Sequence, residues 1–158
     1  MKTFLLILLI CTIGCTSCNS QSQSNFDKTA TQQPDVKEAI GYINTFFDKY
    51  KNQGSKSAID YIFSKANNGA IIGMDALKNK IDSLKLTLGS FTGYEKITEK
   101  NAANSLVLFS YLVKHENHPV RFTFVFYKPK DKWVLYKFLF DADVENELEY
   151  SSKIYFIK

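Results

Sequence analysis

The chain has 158 residues, 45% hydrophobic and 23% charged, which is the composition of a water-soluble protein with apolar surface for one core. That composition excludes an intrinsically disordered chain, and once a short targeting segment is set aside the length leaves no room for a second independent domain. The formal net charge of +4, one unit of it from Lys2, is too weak to argue for a nucleic-acid partner.

Residues 3–13 form an apolar run that is too short to cross a hydrocarbon core of ~30 Å as a helix, and it reads as a signal peptide. All three cysteines, Cys11, Cys15 and Cys18, lie in or just beyond it, so the rest of the chain holds no disulfide. Gly14 precedes Cys15 and Ser17 precedes Cys18. This arrangement resembles a bacterial lipoprotein signal, in which a small residue before a cysteine marks cleavage and the thiol then carries diacylglycerol. Cys18 is favoured over Cys15, although the third residue upstream of each, Cys15 and Thr12, departs from the usual leucine. The resemblance implies a membrane anchor in the bacterial cell envelope with the folded part outside the cytoplasm. Several acyl chains at ~0.8 kcal/mol per buried methylene would make that anchor effectively permanent. The alternative is a plain secretory signal with incidental cysteines. Residues 1–18 are thus read as signal, and 19–33, rich in Ser, Gln, Asn and Thr, as a polar tether that buries too little to offset its ordering entropy. Residues 34–158 are read as one domain.

After Pro34 and Asp35, the residues Val36, Ile40, Ile43, Phe47 and Tyr50 recur at helical spacing, and Gly54 ends the stripe. A second helix is expected over about Ser57–Lys65, with Ser57 and Asp60 as a capping box and Ile59, Ile62 and Phe63 on its apolar side. Ala70 to Ile72, between Gly69 and Gly73, is long enough only for a very short strand. Leu77, Ile81, Leu84 and Leu88 give a third helical stripe, closed by Gly89 where a left-handed residue is needed.

From Tyr94 the period becomes alternating, and four strands are expected: about Tyr94–Thr98, Ser105–Lys114, Val120–Lys128 and Trp133–Asp141. The polar loop Lys128 to Lys132 sets Tyr127 opposite Trp133. One face of that hairpin then holds Val120, Phe122, Phe124 and Phe126 with Val134, Tyr136, Phe138 and Phe140, and the other holds Arg121, Thr123, Val125 and Tyr127 with Trp133, Leu135, Lys137 and Leu139. Which face of the second strand points inward stays open. A sheet with one strongly apolar face needs a cover, and the upstream helices are the available one, so the fold class is α+β with N-terminal helices packed on a curved antiparallel sheet.

The order helix, helix, short strand, helix, antiparallel strands, and the ending FTFVFYKPKDKWVLYKFLF, are similar to the nuclear transport factor 2-like (cystatin-like) superfamily, especially small envelope lipoproteins of Bacteroidota. The resemblance implies a curved sheet and helices enclosing a pocket. In some relatives that pocket is an isomerase or dehydratase site, and in others it takes a ligand or helps form a homodimer. Tyr111, Tyr127 and Tyr136 could supply hydroxyl donors and Trp133 a stacking surface at its lining or rim. The apolar Phe face offers neither acid nor histidine, so an enzyme would depend on peripheral groups such as Glu95 and Asp141. His115, Glu116 and His118 share one turn and could be imagined around a metal, but a solvated turn explains them as well. The row Asp141, Asp143, Glu145, Glu147, Glu149 would align five carboxylates on an extended chain, where like charges repel. No HExxH, mature-chain CxxC, phosphate-binding glycine loop or GxSxG is present, so no cofactor or metal is expected. The sequence therefore points to a lipid-anchored, non-catalytic module for a small apolar ligand or an envelope protein partner. Its rivals are a pocket enzyme and a structural subunit of an envelope assembly.

Overall fold

In the computed structural model, residues 34–67, 74–142, 144–146, 148 and 149 are described. Backbone contacts divide the chain into Met1–Ala30, which lies outside the described residues together with Cys15 and Cys18, and Thr31–Lys158. Within the latter, helix α1 (Lys37–Gln53) buries Ala39, Ile43, Phe46 and Phe47 along one stripe. The Asp35 carboxylate accepts a hydrogen bond from the Lys37 N–H at 3.1 Å, and Glu38 adds negative charge to the first turn, where the helix dipole favours it. Gly54, at φ 90°, makes an elbow that only glycine adopts without strain.

Because the chain re-enters a helix directly after this elbow, α2 spans Ser55–Phe63 and begins two residues earlier than Ser57. The expected capping box therefore does not form. Ser57 Oγ instead donates to Gln53 Oε1 at 2.7 Å, and Asp60 pairs with Lys78. The short strand expected at Ala70–Ile72 lies outside the described residues. The third stripe is split into α3 (Met74–Ser83) and a single turn, α4 (Lys85–Leu88). Ser83 Oγ bonds back to the Lys80 carbonyl at 2.8 Å, and the Leu84 N–H reaches Ile81 O, a tighter turn that interrupts the regular ladder. Gly89 then turns the chain at φ 78°, and a Cβ there would meet the Cβ of Glu116 at 3.0 Å.

Four antiparallel strands follow in the order β1-β2-β3-β4: β1 Phe91–Ala103, β2 Leu106–His115, β3 Val120–Tyr127 and β4 Val134–Asp141. β1 is far longer than Tyr94–Thr98, because three register shifts break the alternation that would have revealed it. In β2, Val107, Phe109, Tyr111 and Val113 are buried, which decides the face left open by the sequence.

The β3–β4 register differs from the expected one. Tyr127 lies opposite Val134, and an irregularity leaves Tyr136 without a partner between Leu135 and Lys137. The first part of β4 is therefore inverted, with Trp133 and Leu135 buried and Tyr136 65% exposed, while Phe138 returns to the core. The physical reason is tertiary. The Leu135 N–H donates to Lys65 O at 2.8 Å, and Ala66 forms an isolated bridge with Leu135, so the end of α2 holds this residue inward.

The helices cover the Phe face. Phe46 sets its ring 5.9 Å from Phe122, 5.2 Å from Phe124 and 5.7 Å from Phe138, while Phe47 stacks on Tyr94 at 3.7 Å and meets Tyr111 edge-on at 5.4 Å. Each such ring removes ~150–250 Å² from water, worth several kcal/mol before entropy at ~25 cal/mol per Å². This is an α+β fold in which helices precede and pack on an open antiparallel sheet.

Candidate functional site

The space between α1 and the sheet, where the sequence reading placed a pocket, is occupied by Phe46 and Phe47. A cleft of about 520 Å³ lies instead beyond the last turn of α1, bounded by the Gly54 elbow, α4, the Gly89–Phe91 segment and the end of β2. Tyr50, Ile81, Leu88 and Phe91 give it apolar lining, and Lys51, Lys56, Lys85, Asp82 and His115 are its charged or titratable groups.

The β2–β3 turn is laced to the chain leaving α4. The Glu116 carboxylate accepts from the Ser90 N–H at 3.0 Å, which holds its pKa below the usual carboxylate value. The Asn117 N–H and side-chain amide donate to Leu88 O and Thr87 O. Through these bonds His115 is fixed at the cleft wall. Its Nε2 is 3.2 Å from the Tyr50 hydroxyl, and Tyr50, Phe91 and His115 pack edge to face at 5.3 to 6.0 Å. Burial pulls the His115 pKa below 6.5, only partly opposed by the nearby Val113 carbonyl, so the ring is neutral at pH 7. Nε2 and the Tyr50 hydroxyl share one hydrogen bond whose direction follows the imidazole tautomer, and Nδ1 is buried without a hydrogen-bond partner of good geometry. Burial pushes the Tyr50 phenol up to about 12, so it keeps its proton at neutral pH.

Lys56 pairs with Asp82 at 3.5 Å, both about half exposed. Such a pair is worth ~0–1 kcal/mol. Among the described residues, Lys51 and Lys85 have no carboxylate partner.

None of the four residues expected from the sequence lines this cleft. Tyr111 is buried among Phe47, Tyr94 and Phe124, where desolvation raises its pKa to about 12. Trp133 is buried as a structural clasp: its indole N–H donates to Asp35 O at 2.9 Å and its backbone N–H to Glu38 Oε2 at 3.0 Å. That second bond, with a further one from the Tyr42 hydroxyl, lowers the Glu38 pKa. Tyr127 and Tyr136 face solvent. The His115, Glu116, His118 turn does not converge on a metal, since His115 turns to Tyr50 and Glu116 to Ser90, and among the described residues no group of three His, Cys, Asp or Glu is placed to hold one.

Of the acidic row, Asp143 and Glu147 lie outside the described residues, and the described members do not form one extended edge. Asp141 ends β4 against Arg121 at 3.1 Å, and Glu145, Asn146, Leu148 and Glu149 have helical backbone. No helix among the described residues is long and apolar enough to cross a membrane. The chain matches no family model, no curated protein and no solved structure.

Proposed function

We propose that this protein is a lipid-anchored component of the bacterial cell envelope whose folded unit binds a small molecule in the cleft beside the Gly54 elbow. One observation carries the binding reading: a hollow of about 520 Å³, within the size range of small-molecule sites, combines apolar walls with convergent polar groups beside a densely packed core. Its binding groups are the Tyr50–His115 pair and the surrounding lysines. A fragment screen of the whole protein by amide chemical shifts tests it, with hits expected to cluster at Gly54, Gly89 and Phe91. Hits scattered over the sheet, or none, would reject a binding role for the cleft.

Anchoring rests on the cysteines that follow the apolar leader. Metabolic labelling with a fatty-acid analogue should be lost in Cys18→Ser and retained in Cys15→Ser, and unchanged labelling in the double variant would refute the anchor. A distant relation to the nuclear transport factor 2-like superfamily is supported by helices preceding an antiparallel sheet. An experimental structure that fails to superpose on that superfamily's cone would remove it.

A second reading, proton-transfer catalysis, is favoured by the presence of His115 in the cleft. Against it, the carboxylates whose pKa values move, Glu38 and Glu116, move downward and cannot act as retained acids. Loss of a detected turnover in His115→Asn with ligand binding intact would favour catalysis over binding alone.

A further inference from the structure

Resting on that binding reading, we infer that the cleft selects an organic anion with an apolar body, its acidic group held by Lys51 and Lys85 and its hydrocarbon or aromatic part laid on Ile81, Leu88 and Phe91.

The charges within the cleft are unbalanced. Three lysines line it against one lining carboxylate, Asp82, which Lys56 engages at 3.5 Å, and the neighbouring Glu116 carboxylate is engaged by the Ser90 N–H at 3.0 Å. Lys51 comes from the last turn of α1 and Lys85 from the first residue of α4, so the two cations without carboxylate partners are contributed by separate walls of one hollow. An excess of lysines around the border of the hollow favours an anionic ligand there and disfavours a cationic one. The neutral Tyr50–His115 pair adds hydrogen-bonding capacity without adding negative charge.

The remaining lining sets the rest of the ligand. Ile81 and Leu88 are core residues that also line the hollow, and the half-buried Phe91 packs its ring 5.3 Å from Tyr50, so the lining joins the apolar interior. A small inorganic anion leaves that lining wet. A naphthalene-sized acid is small enough for a hollow of about 520 Å³ and brings an apolar body together with a carboxylate. The same chemistry could come from a diffusible acid or from the headgroup of an anionic lipid.

The test uses the whole protein as isolated from cells, in phosphatidylcholine nanodiscs, titrated with 2-naphthoate and with its neutral isostere 2-naphthamide while amide shifts are followed. Both should perturb Gly54, Gly89 and Phe91, with the carboxylate binding roughly tenfold tighter at low salt. Lys51→Ala and Lys85→Ala should each weaken naphthoate by roughly threefold, the size of an exposed charge pair, and the double variant should bind the two ligands equally. Lys51→Gln and Lys85→Gln repeat the test with less loss of side-chain packing, and unchanged shifts in the sheet verify folding. Equal affinity of naphthoate and naphthamide at the cleft would overturn the anion preference while leaving the binding role standing. Silence at the cleft with both ligands and with all fragments would overturn the binding role itself. Replacing half of the phosphatidylcholine by phosphatidylglycerol, without naphthoate, separates the two sources: cleft shifts abolished by the lysine variants assign a lipid headgroup, whereas naphthoate binding without them assigns a diffusible acid.

Discussion

Two successive turns of α1 meet opposite surroundings. In the turn holding Phe46 and Phe47 both rings are dry and ringed by aromatic partners at 3.7 to 6.5 Å. One turn later, Tyr50, Lys51 and Gln53 border a hollow. The helix is regular throughout, so the difference lies in what faces it: the broad Phe surface of β3 and β4 in one case, and the gap left where Gly54 and Gly89 turn the chain in the other. A rigid, filled region beside an unfilled polar one is the arrangement expected of a binding module, because preorganised walls limit the ordering cost of capturing a ligand.

The contrast is sharpest in stability. Phe46→Ala should cost about 3–5 kcal/mol in urea unfolding, since it opens a cavity among Phe122, Phe124 and Phe138. A loss below about 1 kcal/mol would mean that the α1–sheet interface is not the core. Gly89→Ala should cost about 1–3 kcal/mol, as a Cβ meets Glu116 in a backbone region that L-residues avoid, and it should shift cleft resonances while leaving those of Phe124 unmoved.

A smaller effect links the cleft to pH. His115 has its folded pKa lowered by burial, so its contribution to stability is complete above the unfolded value of 6.5 and is lost as pH falls through the folded value. Unfolding free energy should therefore decline on acidification below about 6.5, and His115→Asn should flatten that part of the profile. Glu38 and Glu116, also lowered, add a separate loss that begins only near 4.5. A profile in His115→Asn identical to that of the parent would show that the ring is not desolvated. The smallest effect is expected at Tyr136, the unpaired residue of β4: Tyr136→Ser should change stability by no more than about 0.5 kcal/mol, where the sequence register would have placed a core side chain.

Tyr136 also marks where the sequence stops being informative. Alternation along Val120 to Phe126 identifies the inward face of β3 directly, because each residue in that strand keeps its parity. In β4 the same rule fails at one position, since a bulge carries no sequence signature of its own and is set by the hold of Lys65 on Leu135. The full length of β1, beyond the expected Tyr94–Thr98, escaped for a related reason: it is a polar edge with irregular pairing, and its residues at 94–96 and 99–103 are exposed or half-buried on both sides. The candidate site was less legible still. Gly54 and Gly89 read correctly as helix stops, yet nothing in their spacing says that Tyr50, Lys85 and His115, drawn from three distant segments, line the same hollow. Tyr111 and Trp133 looked like lining because they are aromatic with polar tips, but burial and the Asp35–Glu38 clasp give them packing roles.

The linear chain thus determined the helical stripes, the alternating strands and the α+β class, all of which follow from local periodicity and composition. Only tertiary structure decided the inward face of β2, the bulge in β4, the filling of the α1–sheet space by phenylalanine and the position of the cleft. Each of these depends on which remote surfaces meet, and on hydrogen bonds between segments tens of residues apart.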